Sequence, residues 1–291
     1  MGPGGSEPSQ ICIGMRHSAY YAMSKASQGR RPRTLTQGTP MTLKEPLGGL
    51  IGRHILYYPR ITSTMEMAKQ LAKEGMAEGT VIIAGEQTEG RGRLGRTWLS
   101  PPEGSISLSI ILRPHMSHLP QLNMVASLAT LRSITTVTGL KPRIKWPNDI
   151  LLNGKKVSGI LIENTFEGAQ LKAAIVGIGI NVDFDSASFP EIAAIATSLS
   201  VEAGRSVSAQ DLMTSLLRTF DEAYGDLRQA GTVYDAWLPL VETLGKRVTV
   251  RWGDSIEEGC AESIDVKGNL ILRRSDGSTV ALTAGEVTSH I

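Results

Sequence analysis

Apolar positions become ordered only from about residue 47 onward, and their spacing then changes several times along the chain. "RHILYY" and "VIIAGEQ" are short apolar runs that predict strands, with a helix between them over "TSTMEMAKQLAKEG". Ser63 followed three residues later by Glu66 has the form of a capping box. Met67 and Leu71 form the apolar face of that helix, and Gly75 ends it. "SISLSIILRP" predicts a further strand, and Leu122 to Val137 a long helix with Leu122, Val125, Leu128 and Leu131 turned inward. "RIKWPNDILLNGKKVSGILIEN" predicts two or three short strands broken by turns at Pro147–Asn148 and Asn153–Gly154. "AAIVGIGINV" is a buried strand, and Asp211 to Arg228 a helix with Leu212, Leu216, Phe220, Tyr224 and Leu227 on its core side.

From Gly245 the pattern shortens. "KRVTVRW", "GCAESID", "NLILRR" and "TVALT" are strands punctuated by Gly253–Asp254, Lys267–Gly268 and Asp276–Gly277. The chain therefore divides into a mixed-sheet α+β unit over residues 47–238 and a small β-barrel over 239–291. Residues 1–46 have no steady period and are rich in Gly, Pro, Ser, Thr and Arg, which predicts a disordered basic tail. The three apolar-patterned helices of a helix-turn-helix domain are not found there, and this argues against DNA binding.

Charge sharpens that division. Residues 1–46 carry six Lys/Arg against two acids, which leaves 24 bases and 26 acids for the rest. The patterned part is nearly neutral and has no nucleic-acid signature. Cys12 and Cys260 make no metal spacing, so a reducing cytoplasm is the default compartment and no metal site is expected. No apolar run reaches the length of a membrane span, and "MGPGGSEPSQ" is not a secretory signal.

Four polar stretches carry the candidate chemistry. "GRGRLGRTW", Gly90 to Trp98, sets Arg91, Arg93 and Arg96 among three glycines before a tryptophan. Glycine permits close backbone approach and arginine suits bidentate anion contact. The stretch reads equally as a solvated basic loop or as a loop closing over a phosphate or carboxylate. It is not a P-loop, since no Gly-Lys-Ser/Thr follows. "KWPNDI" holds Asn148 and Asp149 in a turn after Pro147, with Trp146 pushed to extended backbone. "GKKVSGILIE" puts Lys156 at the start of an apolar strand. "GIGIN" ends such a strand in Asn181, and its two glycines are a weak dinucleotide fingerprint without the third.

Taken together, "GRGRLGRTW", "KWPND", "KVSGILIE" and "GIGIN", in this order and at this spacing, resemble the catalytic domain of biotin–protein ligases. "ITST", "ATSL" at Ala196–Leu199 and the C-terminal strands extend the resemblance from about Leu50 to Ile291. It implies an α+β fold of the class II synthetase-like biotin/lipoate ligase type, followed by an SH3-like β-barrel. It implies ATP-dependent activation of biotin to biotinyl-5′-AMP, then transfer to a lysine of a biotin carboxyl carrier domain.

The resemblance also implies roles for single residues. Ser63, Thr64 and Gln87 match residues that hold the biotin ring, with Gly90 and Gly159 in close backbone approach. Arg91 and Arg93 match those facing biotin and phosphate, and Arg96 one that assists phosphate. Lys156 matches the lysine between biotin's carboxylate and the α-phosphate, and Asp149 a residue near the nucleotide that could also meet the acceptor lysine. Trp98, Asn148 and Asn181 match nucleotide-side residues, although Trp98 reads equally well as a core aromatic. Met65 stands where the family usually has Asn. ATP and biotin are the implied substrates, with Mg²⁺ offsetting triphosphate charge and no dedicated metal cage. Oligomeric state stays open, a homodimer being compatible. Three alternatives also stay open: a ligase that is also a biotin-operon repressor, a lipoate–protein ligase, and a non-enzymatic binding module.

Overall fold

The computed structural model describes residues 48–99, 104–185, 188–190 and 192–289. The tail expected over 1–46 lies outside the described residues.

Seven strands form one mixed sheet: β1 (Ile55–Tyr58), β2 (Val81–Ala84), β3 (Ser105–Leu112), β4 (Arg143–Lys145), β5 (Asp149–Leu152), β6 (Lys155–Glu167) and β7 (Gln170–Asn181). Their spatial order is β1-β2-β3-β7-β6-β5-β4. β1 and β2 run parallel because helix α1 (Thr64–Lys73) crosses between them, while the remaining neighbours are antiparallel. Met65, Ala68, Leu71 and Ala72 of α1 pack on one face against Ile82, Ile111 and Ile175. On the other face lie α2 (Leu122–Thr138) and the amphipathic α4 (Ala209–Ala230). The short α3 (Leu199–Ala203) precedes α4. The expected inward residues of α2 and α4 are all buried. Both helices stop at glycines in the left-handed region, Gly139 and Gly231, whose N–H groups close the last turn.

Two details of α1 differ from expectation. Ser63 is the N-cap residue, but its hydroxyl makes no capping bond. Glu66 does not complete a capping box, since its carboxylate turns to Lys69 and Arg91. The buried stripe also runs through Met65 and Ala68, with Met67 only partly buried beside it.

The C-terminal strands β8 (Arg247–Trp252), β9 (Ser255–Ile264), β10 (Leu270–Arg273), β11 (Thr279–Leu282) and β12 (Glu286–Ser289) form an antiparallel sheet in the order β11-β10-β9-β8-β12. β12 was not foreseen, because "EVTS" carries a single apolar residue facing inward, Val287. The two sheets share a core. Trp146 is buried, donates its backbone N–H to Thr243 Oγ1 at 2.9 Å, and donates its indole N–H to Gly268 O at 2.8 Å.

Tyr224 of α4 donates its hydroxyl to Glu78 Oε1 at 2.8 Å, and burial pushes its phenol pKa up. Tyr224→Phe removes a bond to a charged acceptor that keeps some solvent. It is expected to lower unfolding free energy by about 1.5 kcal/mol, read as a shift in the urea midpoint.

Candidate active site

Gly90–Trp98 is a short hairpin rather than an irregular loop. Trp98 N donates to Gly90 O at 2.9 Å, Arg91 bridges Thr97, and Gly92 N donates to Arg96 O at 2.8 Å. At the tip Leu94 and Gly95 both have positive φ, 55° and 73°. Two such residues in succession are what a two-residue hairpin turn needs to match the twist of its strands. Leu94 pays for this in strain and stands 70% exposed.

The hairpin covers a cleft of about 50 Å³ that β3, β6 and β7 floor and the start of α1 walls. At one end is an uncharged hydrogen-bonding cluster. Thr64 donates its backbone N–H and its hydroxyl to Gln87 Oε1 at 2.8 and 3.0 Å, and Ser109 Oγ donates to Thr64 Oγ1 at 2.8 Å. Ser63 Oγ beside them is buried without a hydrogen-bond partner among the described residues. A buried hydroxyl left unpaired is costly unless a ligand completes it.

The other end is cationic. Lys156 Nζ lies 2.7 Å from Asp149 Oδ1 and 5.6 Å from the Trp98 ring centroid, within cation–π range. Arg93 Nη1 donates to Asn148 Oδ1 at 2.7 Å and to Gly285 O at 3.5 Å, both neutral partners. Burial holds the Arg93 pKa below its ordinary value, opposed by the nearby carboxylates of Asp149 and Glu286. Asn148 is fixed in turn by exchanging bonds with Ile160: its Nδ2 donates to Ile160 O, and Ile160 N donates to Asn148 O, each at 3.0 Å. A second cleft of about 200 Å³ continues past Arg93, Asn148 and Ile160 toward Lys267 and Gly268 of the C-terminal sheet.

Thr64, Gln87, Arg91, Arg93, Trp98, Asn148, Lys156 and Gly159 all line the smaller cleft. Asp149 meets it through Lys156, and Gly90 is buried at the hairpin's foot. Arg96 points elsewhere, to Glu286 at the start of β12. Asn181 is buried off the cleft and donates to Thr197 O at 2.9 Å. Thr197 N in turn donates to Lys156 O at 2.9 Å, so Asn181 reaches Lys156 through the "ATSL" segment.

Met65 lines the cleft as well, and so do Gly177 and Gly179, which were not foreseen there. A Cβ on Gly177 would lie 2.6 Å from Met65 Sδ, and one on Gly179 would lie 2.3 Å from the Trp98 ring. The signal was present: glycines two apart in a strand share one face, and two bare positions on an apolar face leave room for something to lie there.

The chain matches two family models: Biotin/lipoate A/B protein ligase family over residues 57–181, and Biotin protein ligase C terminal domain over 243–288. It is 37% identical to a bifunctional ligase/repressor of Bacillus spizizenii, covering 78% of this chain and 72% of that protein. It is 36% identical to a biotin–[acetyl-CoA-carboxylase] ligase of Paracoccus denitrificans, covering 97% of that protein. Its structure is similar to the biotin protein ligase of Aquifex aeolicus solved with biotin and ATP, at TM-score 0.71, 28% identity, and coverage of 82% of this chain and 99% of that one. With both family models matched in order on the two sheets, and relatives aligned over most of their length, the chain belongs to the biotin/lipoate A/B protein ligase family.

Proposed function

We propose that this protein joins biotin to ATP, giving biotinyl-5′-AMP and pyrophosphate, and passes the biotinyl group to a lysine of a carboxylase's carrier domain. The observation that carries this reading is the polarity of the cleft: a neutral donor–acceptor cluster at Thr64 and Gln87, and cations at Arg93 and Lys156. Biotin has the matching form, with a ureido ring at one end and a carboxylate at the other. Relatives named as biotin–[acetyl-CoA-carboxylase] ligases support the choice of biotin over lipoate.

In the first step a biotin carboxylate oxygen bonds to the α-phosphorus of ATP and the bond to pyrophosphate breaks. Both partners are anions, so rate comes from positioning and charge stabilisation. Ser63, Thr64 and Gln87 hold the ring, with Gly90 and Gly159 allowing close approach. Lys156 follows charge from carboxylate to phosphate as a compact cation. Arg93, whose hydrogen bonds go to neutral partners, has no ion pair to break before meeting phosphate, while Arg96 would have to leave Glu286 to assist. Trp98 and Asn148 face the nucleotide, and Asn181 supports Lys156 through Thr197. In the second step the acceptor lysine loses a proton, which Asp149 accepts. Its nitrogen then bonds to the biotinyl carbonyl carbon as AMP leaves.

The described residues hold no cluster of three or more His, Cys, Asp or Glu suited to a metal, so Mg²⁺ would arrive with the triphosphate. No described helix is long and apolar enough to cross a membrane. We infer a cytoplasmic enzyme, with the catalytic unit over 47–238 and the C-terminal unit over 239–291.

Biotin-dependent pyrophosphate release tests the reading. Release with biotin and ATP is expected, and none with lipoate; the reverse preference would make the protein a lipoate ligase. A truncated chain starting at residue 47 is expected to keep adenylylation and transfer, since the sequence of residues 1–46 lacks the apolar pattern of a packed element. A DNA gel shift with biotinyl-AMP that appears only with the full chain would instead support a repressor.

A further inference from the structure

Four charged side chains beside the hairpin are not used by the chemistry above. Arg91 Nη1 contacts Glu66 Oε1 closely, and Arg91 Nη2 donates to Glu163 Oε1 at 2.7 Å. The second oxygen of Glu163 meets Lys69 Nζ, which also donates to Glu66 Oε1 at 3.2 Å. Two acids and two bases thus close a neutral ring. They come from three separate elements: α1, the hairpin and β6.

Arg91 lies one residue beyond the hairpin's foot and bridges Thr97 on the opposite arm. Whatever fixes its side chain therefore fixes both arms. Its charge is already offset by two carboxylates, which leaves it a weaker attractor for a further anion than an unpaired guanidinium. Arg93 differs in kind, because its partners are neutral.

We propose that Glu66 and Glu163 are positioning residues which staple the hairpin across the cleft through Arg91, whose guanidinium belongs to the staple and not to the ligand's anionic groups. The consequence for turnover rests on the function proposed above: a stapled hairpin slows escape of the reactive mixed anhydride. Single pairs at this exposure are weak, so the ring acts through its two links to Arg91 together. Because charge holds it, salt should loosen it.

The test uses full-length Glu66→Gln, Glu163→Gln and the double variant. Trypsin cutting at Arg91, Arg93 and Arg96 in ligand-free protein is followed by fragment mass. The double variant is expected to be cut about 5- to 10-fold faster than wild type, from two links of modest strength. That gap should shrink as salt is raised. Preformed biotinyl-AMP should dissociate faster by a similar factor, and KM for biotin should rise more than kcat falls. Glu66→Gln, on the exposed helix face, leaves packing untouched and should give a smaller change of the same sign. Equal cutting and equal retention in all variants would overturn the staple. So would a uniform loss of kcat accompanied by a lower melting temperature. A wild type that forms no biotinyl-AMP would refute the proposed function, while the trypsin comparison would still decide the staple.

Discussion

Lys156→Met is expected to lower biotinyl-AMP formation by about 10²–10³-fold, the usual cost of removing one preorganised donor to a transition state. The substitution keeps the stem and removes the charge. The stem matters, because Lys156 packs against Gly159 and across the Trp98 ring, and its backbone is held by Ile195 and Thr197. Asp149 loses its ion-pair partner, but both side chains are partly exposed, so folding should change little. Biotin binding should weaken less than adenylylation, since the ring contacts lie at the Thr64–Gln87 end. Transfer from synthetic biotinyl-AMP should also fall less, because the phosphorus has already been attacked. Single-turnover synthesis of biotinyl-AMP at near wild-type rate would withdraw Lys156 from the site.

Gly179→Ala is expected to reduce activity by about 10²-fold without touching a charged group, the order of loss that a misplacement of about 1 Å brings. The added methyl would sit 2.3 Å from Trp98 Cε2, 2.5 Å from Cζ2 and 2.7 Å from Nε1. A rigid ring cannot yield at one end as a lysine stem can. Trp98 also abuts Gly159 on β6, so the ring has to lift toward the hairpin and carry Lys156 with it. Melting temperature should fall slightly, because the clash with the ring outweighs the strand entropy that alanine saves over glycine. Full activity with an unchanged tryptophan emission spectrum would show that the cleft has slack that this packing denies.

The strands and helices were legible because each buries a face and so repeats with its own period. The second sheet was legible from its turn residues, except for β12, where one inward valine is too little pattern to read. The cleft was legible as a set of motifs and not as geometry. Ser63 and Glu66 fitted a capping box by spacing alone, yet a stronger partner, Arg91, claims the glutamate. No local rule could foresee that, since the arginine stands 25 positions further on. Asn181 was placed on the nucleotide side by resemblance alone, and its amide donates to the loop carbonyl of Thr197. Gly177 and Gly179 were visible as letters, but the ring and thioether that fill the space above them come from other parts of the chain.

Trp146 has a consequence for how this chain can be cut. Its backbone and indole donors are met by Thr243, just before β8, and Gly268, in the turn between β9 and β10, and the next three residues are Pro147, Asn148 and Asp149. Severing the chain near residue 242 and discarding the rest would leave a large ring bare and two donors without partners. The damage would enter at the turn that steadies Arg93. The junction is thus a poor place for a split reporter or a domain swap. An engineer who wants two separable pieces would have to rebuild Trp146 first.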